Sequence, residues 1–164
     1  ERSRGLGDVY KRQLSLEDYC RISPWLIKPN IHEFRRIVEV EGDSLTDVAE
    51  AARLLQSRGV EHVLVSMGAD GLLCAHAGGL VHASSPAVEV KSTVGAGDSA
   101  LAGFMVGFVK ELGVEECVRL AAACGTACAM QEGTAVATRE VAFELLDRMQ
   151  VERLFLPRKE GAEI

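Results

Sequence analysis

The chain has 164 residues, 48% of them hydrophobic, which is the size of one domain with enough apolar material for a sizeable core. Its formal net charge of -6 withholds the basic footprint that binding to a phosphate backbone requires, so nucleic acid is not an expected partner. The longest uncharged apolar stretch, Ala100 to Val109, ends at Lys110, well short of the roughly eighteen residues of a membrane span, so no membrane is expected either.

Residues 1–13 (ERSRGLGDVYKRQ) place Glu1, Arg2, Arg4 and Asp8 before Tyr10 and contain no apolar stretch of the signal-peptide kind. They read as a non-native, adapter-derived leader, with the native sequence beginning near Leu14 and cut upstream. From Ser15 to Ile22 the pattern is a short helix. Pro24 follows, and the apolar run Trp25-Leu26-Ile27 reads as a buried strand ended by Lys28-Pro29-Asn30. A helix starts at Ile31, and another spans Leu45 to Ser57, where Leu45, Val48, Ala49, Ala52 and Leu55 keep helical spacing. Ser44 and Asp47 are its capping pair, with Asp in place of the usual Glu or Gln, and Gly59 stops it. His62 to Met67 reads as a strand through Val63-Leu64-Val65, and Gly68-Ala69-Asp70-Gly71 is turn chemistry leading into Leu72-Leu73-Cys74.

Two edge strands are predicted next, Leu80 to Ala83 and Ala87 to Val90, around a turn at Ser85-Pro86. Gly95-Ala96-Gly97-Asp98 then opens a helix running to about Leu112-Gly113. Further helices are predicted from Glu115 to Met130, with Val118, Ala121, Ala122, Gly125 and Ala129 on one stripe, and from Arg139 to Met149 behind a Thr138 cap. The tail 157–164 is polar and expected to fray. Helices alternating with buried strands give a three-layer α/β domain over 14–156, with ligands beyond the carboxyl ends of its strands.

Five cysteines (Cys20, Cys74, Cys117, Cys124 and Cys128) form no CxxC pair, and an odd count fits a disulfide framework poorly, so a reducing cytoplasm is the expected setting. Cys124 and Cys128 share a helix face among alanines and read as core. His32, His62, His76 and His82 lack ligand spacing and receive no role.

The strongest chemical signal is Ser92-Thr93-Val94-Gly95-Ala96-Gly97-Asp98-Ser99-Ala100-Leu101-Ala102-Gly103-Phe104. Two glycines flanking a small residue let successive backbone N–H groups point inward at the start of a helix, where orphan donors and the dipole favour a phosphate. Gly95, Ala96 and Gly97 make an anion hole for the charge that spreads over a migrating phosphoryl group. Asp98 beside it is the candidate catalytic base and substrate contact, accepting the proton of the attacking hydroxyl. Taken alone, the four residues read equally as a tight turn with an acidic helix start. The longer string resembles the C-terminal signature of the PfkB carbohydrate kinases, the ribokinase family.

That resemblance implies a ribokinase-like α/β/α fold, ATP and Mg²⁺ as cofactors, and phosphoryl transfer to a sugar hydroxyl. It also gives two other segments a role. Ser66-Met67-Gly68-Ala69-Asp70-Gly71, by itself a hairpin turn, resembles the segment lining the nucleotide phosphates and ribose, so all six residues become cofactor candidates. Lys28-Pro29-Asn30-Ile31-His32-Glu33 resembles the family's Asn-x-x-Glu motif, which positions magnesium through its waters. Asn30 and Glu33 are thereby metal candidates, and Lys28, Asn30, Gly97 and Asp98 nucleotide candidates. Without the resemblance, Asn30 reads as a helix cap and Glu33 as a solvated first-turn acid.

The resemblance runs from Leu14 to about Met149 and corresponds to the C-terminal half of a family member. In the family the other half supplies most sugar contacts and a small β lid that excludes water, so the fragment alone is expected to be inactive. The wording KPNxxE, SxGxxG and STVGAGDS is most similar to 1-phosphofructokinases and tagatose-6-phosphate kinases. Fructose 1-phosphate is the acceptor of choice on this reading, ATP the donor, and a homodimer the expected full-length assembly. The alternatives are a kinase of an unphosphorylated sugar or nucleoside and a non-catalytic nucleotide-binding module. Ribokinase-like members usually carry Asp where Ser92 stands and Thr where Val94 stands, in a stretch that contributes to a monovalent-cation site. The departure speaks against potassium activation.

Overall fold

The computed structural model describes residues 15–156, and both the leader assigned to 1–13 and the polar tail at 157–164 lie outside the described residues. In chain order the elements are α1 (Leu16–Ile22), β1 (Leu26–Ile27), α2 (Ile31–Ile37), α3 (Leu45–Ser57), β2 (His62–Ser66), β3 (Leu72–His76) and β4 (Gly79–Ser84), then α4 (Ala96–Val109), α5 (Val114–Ala129), α6 (Arg139–Leu146) and β5 (Gln150–Leu154). A single 3₁₀ turn, Gly68–Asp70, separates β2 from β3.

The first helices start where local chemistry dictates. Ser15 with Asp18, Asn30 with Glu33, and Ser44 with Asp47 form reciprocal capping boxes, the cap side chain taking the third N–H and the carboxylate taking the cap's own. Aspartate fills the role usually given to glutamate in two of them. Hydrogen bonds from the Ser44 hydroxyl and backbone hold the Asp47 carboxyl below its ordinary range.

The five strands form one sheet in the order β1-β2-β3-β4-β5. β1 runs parallel to β2, with Leu26 opposite His62, and the remaining neighbours are antiparallel. The two-residue alternation of the strands sorts the core. Val63, Val65, Leu73 and Ala75 pack with Phe34 of α2 and Val48, Ala52 and Leu55 of α3. Leu64, Leu72, Cys74, Val81 and Ala83 pack with Phe104 of α4 and with Val118 and Ala121 of α5. Helices therefore cover both faces, giving the expected three layers.

Four details depart from the sequence reading. β4 is an interior strand, because β5 pairs along its other side with Val81 opposite Arg153. Ala87–Val90 form no strand at all. Pro86 has no N–H for a ladder, and the stretch that follows is strapped to α5 instead. Ser85 Oγ and Thr126 Oγ1 are 2.6 Å apart. The Lys91 and Ser92 N–H groups both donate to the Ala129 carbonyl, at 2.8 and 3.1 Å. α4 also stops earlier than predicted, at Val109, where Glu111 turns left-handed at φ 57°, and α6 ends at Leu146. Among the described residues no helix is long and apolar enough to cross a membrane.

α4 and α5 lie backbone against backbone. A Cβ on Gly103 would stand 2.6 Å from the Leu120 carbonyl oxygen and 3.0 Å from the Ala121 Cα. Gly103→Ala would gain up to ~1 kcal/mol in helix propensity but must force the two helices apart, at a cost of ~1–3 kcal/mol. A net fall in the urea midpoint is expected, and a rise would show that the helices do not pack this closely.

Candidate functional site

The site is assembled from chain segments that the sheet brings together. Beyond Ile27 the chain continues alongside β2: the Ser66 N–H donates to the Pro29 carbonyl at 3.1 Å, and Asn30 and Ser66 form an isolated parallel bridge. The Lys28-Pro29-Asn30 and Ser66–Gly71 segments are thus neighbours at the carboxyl ends of the parallel pair, the position where open α/β sheets present ligands. Lys28 reaches from there to the third segment. Its Nζ lies 2.8 Å from where a Cβ on Gly97 would be, so only a glycine lets the ammonium come this close to the start of α4.

Gly95 is the N-cap of α4 in the left-handed region, at φ 78°, and no side chain caps this helix. The Ala96 N–H turns back to the Thr93 carbonyl at 3.3 Å, and the Val94 N–H donates to Ser92 Oγ at 3.2 Å. Asp98 is exposed in the first turn. Beneath the loop lies the buried Cys128, whose Sγ would sit 3.6 Å from a Gly95 Cβ and donates to the Val94 carbonyl at 3.7 Å. An uncapped helix start with an ammonium beside it can hold an oxyanion, and a solvent-facing carboxylate next to it can accept a proton.

The turn after β2 is made by glycines at φ 60° (Gly68) and φ 89° (Gly71), with Gly68, Ala69 and Asp70 exposed. The Met67 N–H donates to the Gly71 carbonyl at 2.9 Å, closing the turn. The Met67 side chain joins the core on the α2 and α3 face, so only its backbone is turned to this end of the sheet.

Asn30 and Glu33 do what local chemistry alone would ask: Asn30 Oδ1 accepts the Glu33 N–H at 2.9 Å, and Glu33 Oε2 accepts the Asn30 N–H at 3.0 Å. Among the described residues no group of three or more His, Cys, Asp or Glu side chains could hold a metal. A hydrated Mg²⁺ needs no such cage, since it keeps several waters and takes one or two carboxylates plus substrate phosphates. The residues fit that mode of binding and no tighter one. A groove of about 370 Å³ adjoins them, lined by Tyr19, Lys28, Pro29, Glu33 and Arg36 among others. Burial, with Glu33 nearby, pushes the Tyr19 hydroxyl up from its ordinary value. A larger hollow of about 750 Å³, bordered by Asp47, Glu50, Arg53, His76 and Phe155, contains none of the motif residues.

Of the sequence-predicted candidates, Lys28, Asn30, Ser66 and Gly97 are therefore tied together by named contacts, and Gly95, Ala96 and Asp98 share the head of α4 with Gly97. Cys128, beneath Gly95, and His82, whose Nε2 lies 2.7 Å from the Asp70 carbonyl oxygen, were not legible, because each meets the site through packing between distant elements and sits in no motif.

The family model for pfkB family carbohydrate kinases matches residues 6–140. The 1-phosphofructokinase of Bacillus subtilis is 39% identical over 136 residues, which cover 81% of this chain and 43% of that protein. The 1-phosphofructokinase of Vibrio cholerae is 36% identical over 132 residues, covering 80% and 42%. The chain thus spans less than half the length of the curated relatives it matches. Among solved structures, the phosphofructokinase-2 from Escherichia coli in complex with substrates and products superposes with a TM-score of 0.74 at 29% identity, over 81% of this chain and 44% of that one. The matched span takes in every motif residue from Lys28 to Asp98, and the chain belongs to the pfkB family of carbohydrate kinases.

Proposed function

We propose that this sequence carries the ATP-binding and catalytic portion of a kinase that phosphorylates a sugar-phosphate hydroxyl, converting fructose 1-phosphate to fructose 1,6-bisphosphate. The observation that supports it most is the Lys28 ammonium held against Gly97, at the mouth of an uncapped helix whose first turn bears Asp98. In this reading the acceptor oxygen forms its bond to the γ-phosphorus as the bond to the β-phosphate oxygen breaks, and ADP leaves. The N–H groups of Gly95 and Gly97, with Lys28, stabilise the charge on the moving group, while the Ala96 N–H is directed to the Thr93 carbonyl and shapes the loop instead. Asp98 accepts the hydroxyl proton.

Ser66 and the Gly68–Gly71 turn border the nucleotide, Met67 contributing backbone only. Asn30 and Glu33 would hold Mg²⁺ through its waters, and the ion would supply charge neutralisation on the phosphates. The acceptor assignment leans on relatives named 1-phosphofructokinase. Acceptor contacts and water exclusion fall to the part of the relatives' length without counterpart here, so this chain by itself is expected to bind nucleotide and not turn over. The free state of its cysteines suits the cytoplasm, where ATP is available, and a homodimer is the assembly we assign to the longer protein.

Acceptor profiling tests the reading. A polypeptide of the relatives' full length carrying this sequence is given MgATP with fructose 1-phosphate, fructose 6-phosphate, tagatose 6-phosphate, fructose or ribose. The highest kcat/KM is expected with fructose 1-phosphate. A preference for an unphosphorylated sugar would overturn the acceptor, and ATP binding without any transfer would leave a non-catalytic module.

A smaller change probes the Lys28–Gly97 contact. The methyl of Gly97→Ala would meet only the far end of a flexible side chain, so stability should change by no more than ~0.5 kcal/mol. The ammonium must swing away, however. Losing one charge-assisted contact of ~1.5 kcal/mol predicts about tenfold weaker MgATP binding by calorimetric titration.

A further inference from the structure

His82 sits on β4 with only 7% of its surface exposed, and its ring bridges two acceptors. Nε2 lies 2.7 Å from the Asp70 carbonyl oxygen, and Nδ1 lies 3.3 Å from Glu152 Oε1 on β5. A carbonyl can only accept, so Nε2 carries a proton and donates it. A carboxylate also only accepts, so the Glu152 contact is a hydrogen bond when Nδ1 carries a proton as well, that is, with the imidazole in its protonated form. On the neighbouring strand His82 faces Leu73, which brings no competing polar group.

The bond falls on a peptide whose N–H end is held by the Gly68 carbonyl and whose carbonyl end no other bond of the turn uses. Gly68 and Gly71 both adopt positive φ, which a glycine reaches without a Cβ penalty, so side-chain sterics do little to fix the turn. The other bonds of the turn are Asp70 N–H to the Met67 carbonyl and Gly71 N–H to the Gly68 carbonyl, each at 3.2 Å, and the Met67 closure. None of these uses the Asp70 carbonyl. That oxygen and the Gly71 N–H belong to one peptide plane, so His82 at the oxygen and the Gly68 carbonyl at the N–H together hold its orientation.

We infer that His82 is a positioning residue for the nucleotide-lining turn, acting through the Asp70 carbonyl, with Glu152 steadying the imidazole behind it. This rests on the proposed assignment of Ser66–Gly71 to the nucleotide. The ligand concerned is a nucleoside triphosphate with its magnesium, and His82 does not touch it.

The test uses the 164-residue chain and reads MgATP affinity by titration calorimetry, alongside the amide resonances of residues 68–71. His82→Leu is expected to weaken MgATP about tenfold and to move the turn resonances. His82→Gln places an amide N–H close to the Nε2 position and should return affinity to within about threefold of the unsubstituted chain. Glu152→Gln, at an exposed side chain, should weaken it about threefold. A merely structural histidine would not show rescue by glutamine in ligand affinity.

Should His82→Leu fail to fold, His82→Asn decides, because its amide is too short to reach the carbonyl. It should then lose the same affinity, and binding as in the unsubstituted chain would overturn the inference. Equal binding by folded His82→Leu, or equal weakness of His82→Gln and His82→Leu, overturns it too. Failure of the unsubstituted chain to bind MgATP overturns the nucleotide reading and this inference with it. Binding that every His82 variant leaves unmoved overturns this inference alone.

Discussion

Asp98→Asn is expected to lower kcat by about 10²–10⁴-fold while MgATP affinity stays within about twofold. The two side chains have the same shape, and the position is exposed at the head of α4, so nothing in the core is disturbed. What changes is basicity: the amide oxygen cannot take the acceptor's proton as the oxygen attacks phosphorus. A carboxylate in a first turn also interacts with the helix dipole, which bounds the stability lost at ~0.3–1 kcal/mol. Steady-state kinetics with fructose 1-phosphate, in a polypeptide of the relatives' length, separate these effects. A variant keeping more than a tenth of kcat would mean that Asp98 is not the base, and a collapse of nucleotide binding would mean that its first task is to hold the phosphates. The predicted pattern, kcat lost and nucleotide kept, is that of a group whose interaction exists only in the transition state.

What the sequence disclosed of the fold follows from how local each determinant is. The span Leu45 to Ser57 was legible at both ends because its capping pair lies within four consecutive residues and its apolar positions recur at helical spacing. β5 was not, since Gln150–Leu154 is an edge strand that carries Glu152 and Arg153 and shows no apolar alternation. Its side chains look outward to partners on other elements, Arg153 to Glu115 of α5 and Glu152 to His82. Ala87–Val90 misled for the converse reason. Its alternation is strand-like, yet the chain around it is fixed to α5 through Ser85 and Thr126 and through the Ala129 carbonyl.

The site divides along the same line. Gly95, Gly97 and Asp98 could be read because a glycine-lined helix start is a contiguous string. That Lys28 would lie against Gly97 followed from no spacing, since the contact is made by the sheet and the helix packed on it. Asn30 and Glu33 show a motif satisfying two demands at once: the pair caps α2, and the same geometry keeps an amide and a carboxylate together where a hydrated ion could use them.

Among the described glycines, Gly71→Ala is expected to be the most destabilising added methyl, at ~2–6 kcal/mol, against a total stability of ~5–15 kcal/mol for a domain. Two independent penalties meet there. The backbone conformation, φ 89° and ψ -143°, belongs to a region that residues with a Cβ scarcely enter, at ~1–3 kcal/mol. The added Cβ would also stand 2.1 Å from the Ala83 carbonyl oxygen and 3.1 Å from the Ser84 Cα, and overpacking adds ~1–3 kcal/mol. The atoms it meets are backbone of β4, an interior strand paired on both sides, so relief requires breaking the ladder where Leu72 faces Ala83. The control is Gly68→Ala, three residues earlier in the same turn. That glycine also has positive φ, at 60°, but a Cβ there would meet nothing within 4 Å, so only the left-handed cost of ~1–2 kcal/mol applies. Urea unfolding of the two variants should therefore differ clearly, with Gly71→Ala the lower midpoint and the weaker MgATP binder. Equal midpoints would mean that β4 does not hold the turn in the way the Ala83 contact requires, and the support argued for His82 on the same strand would lose its footing.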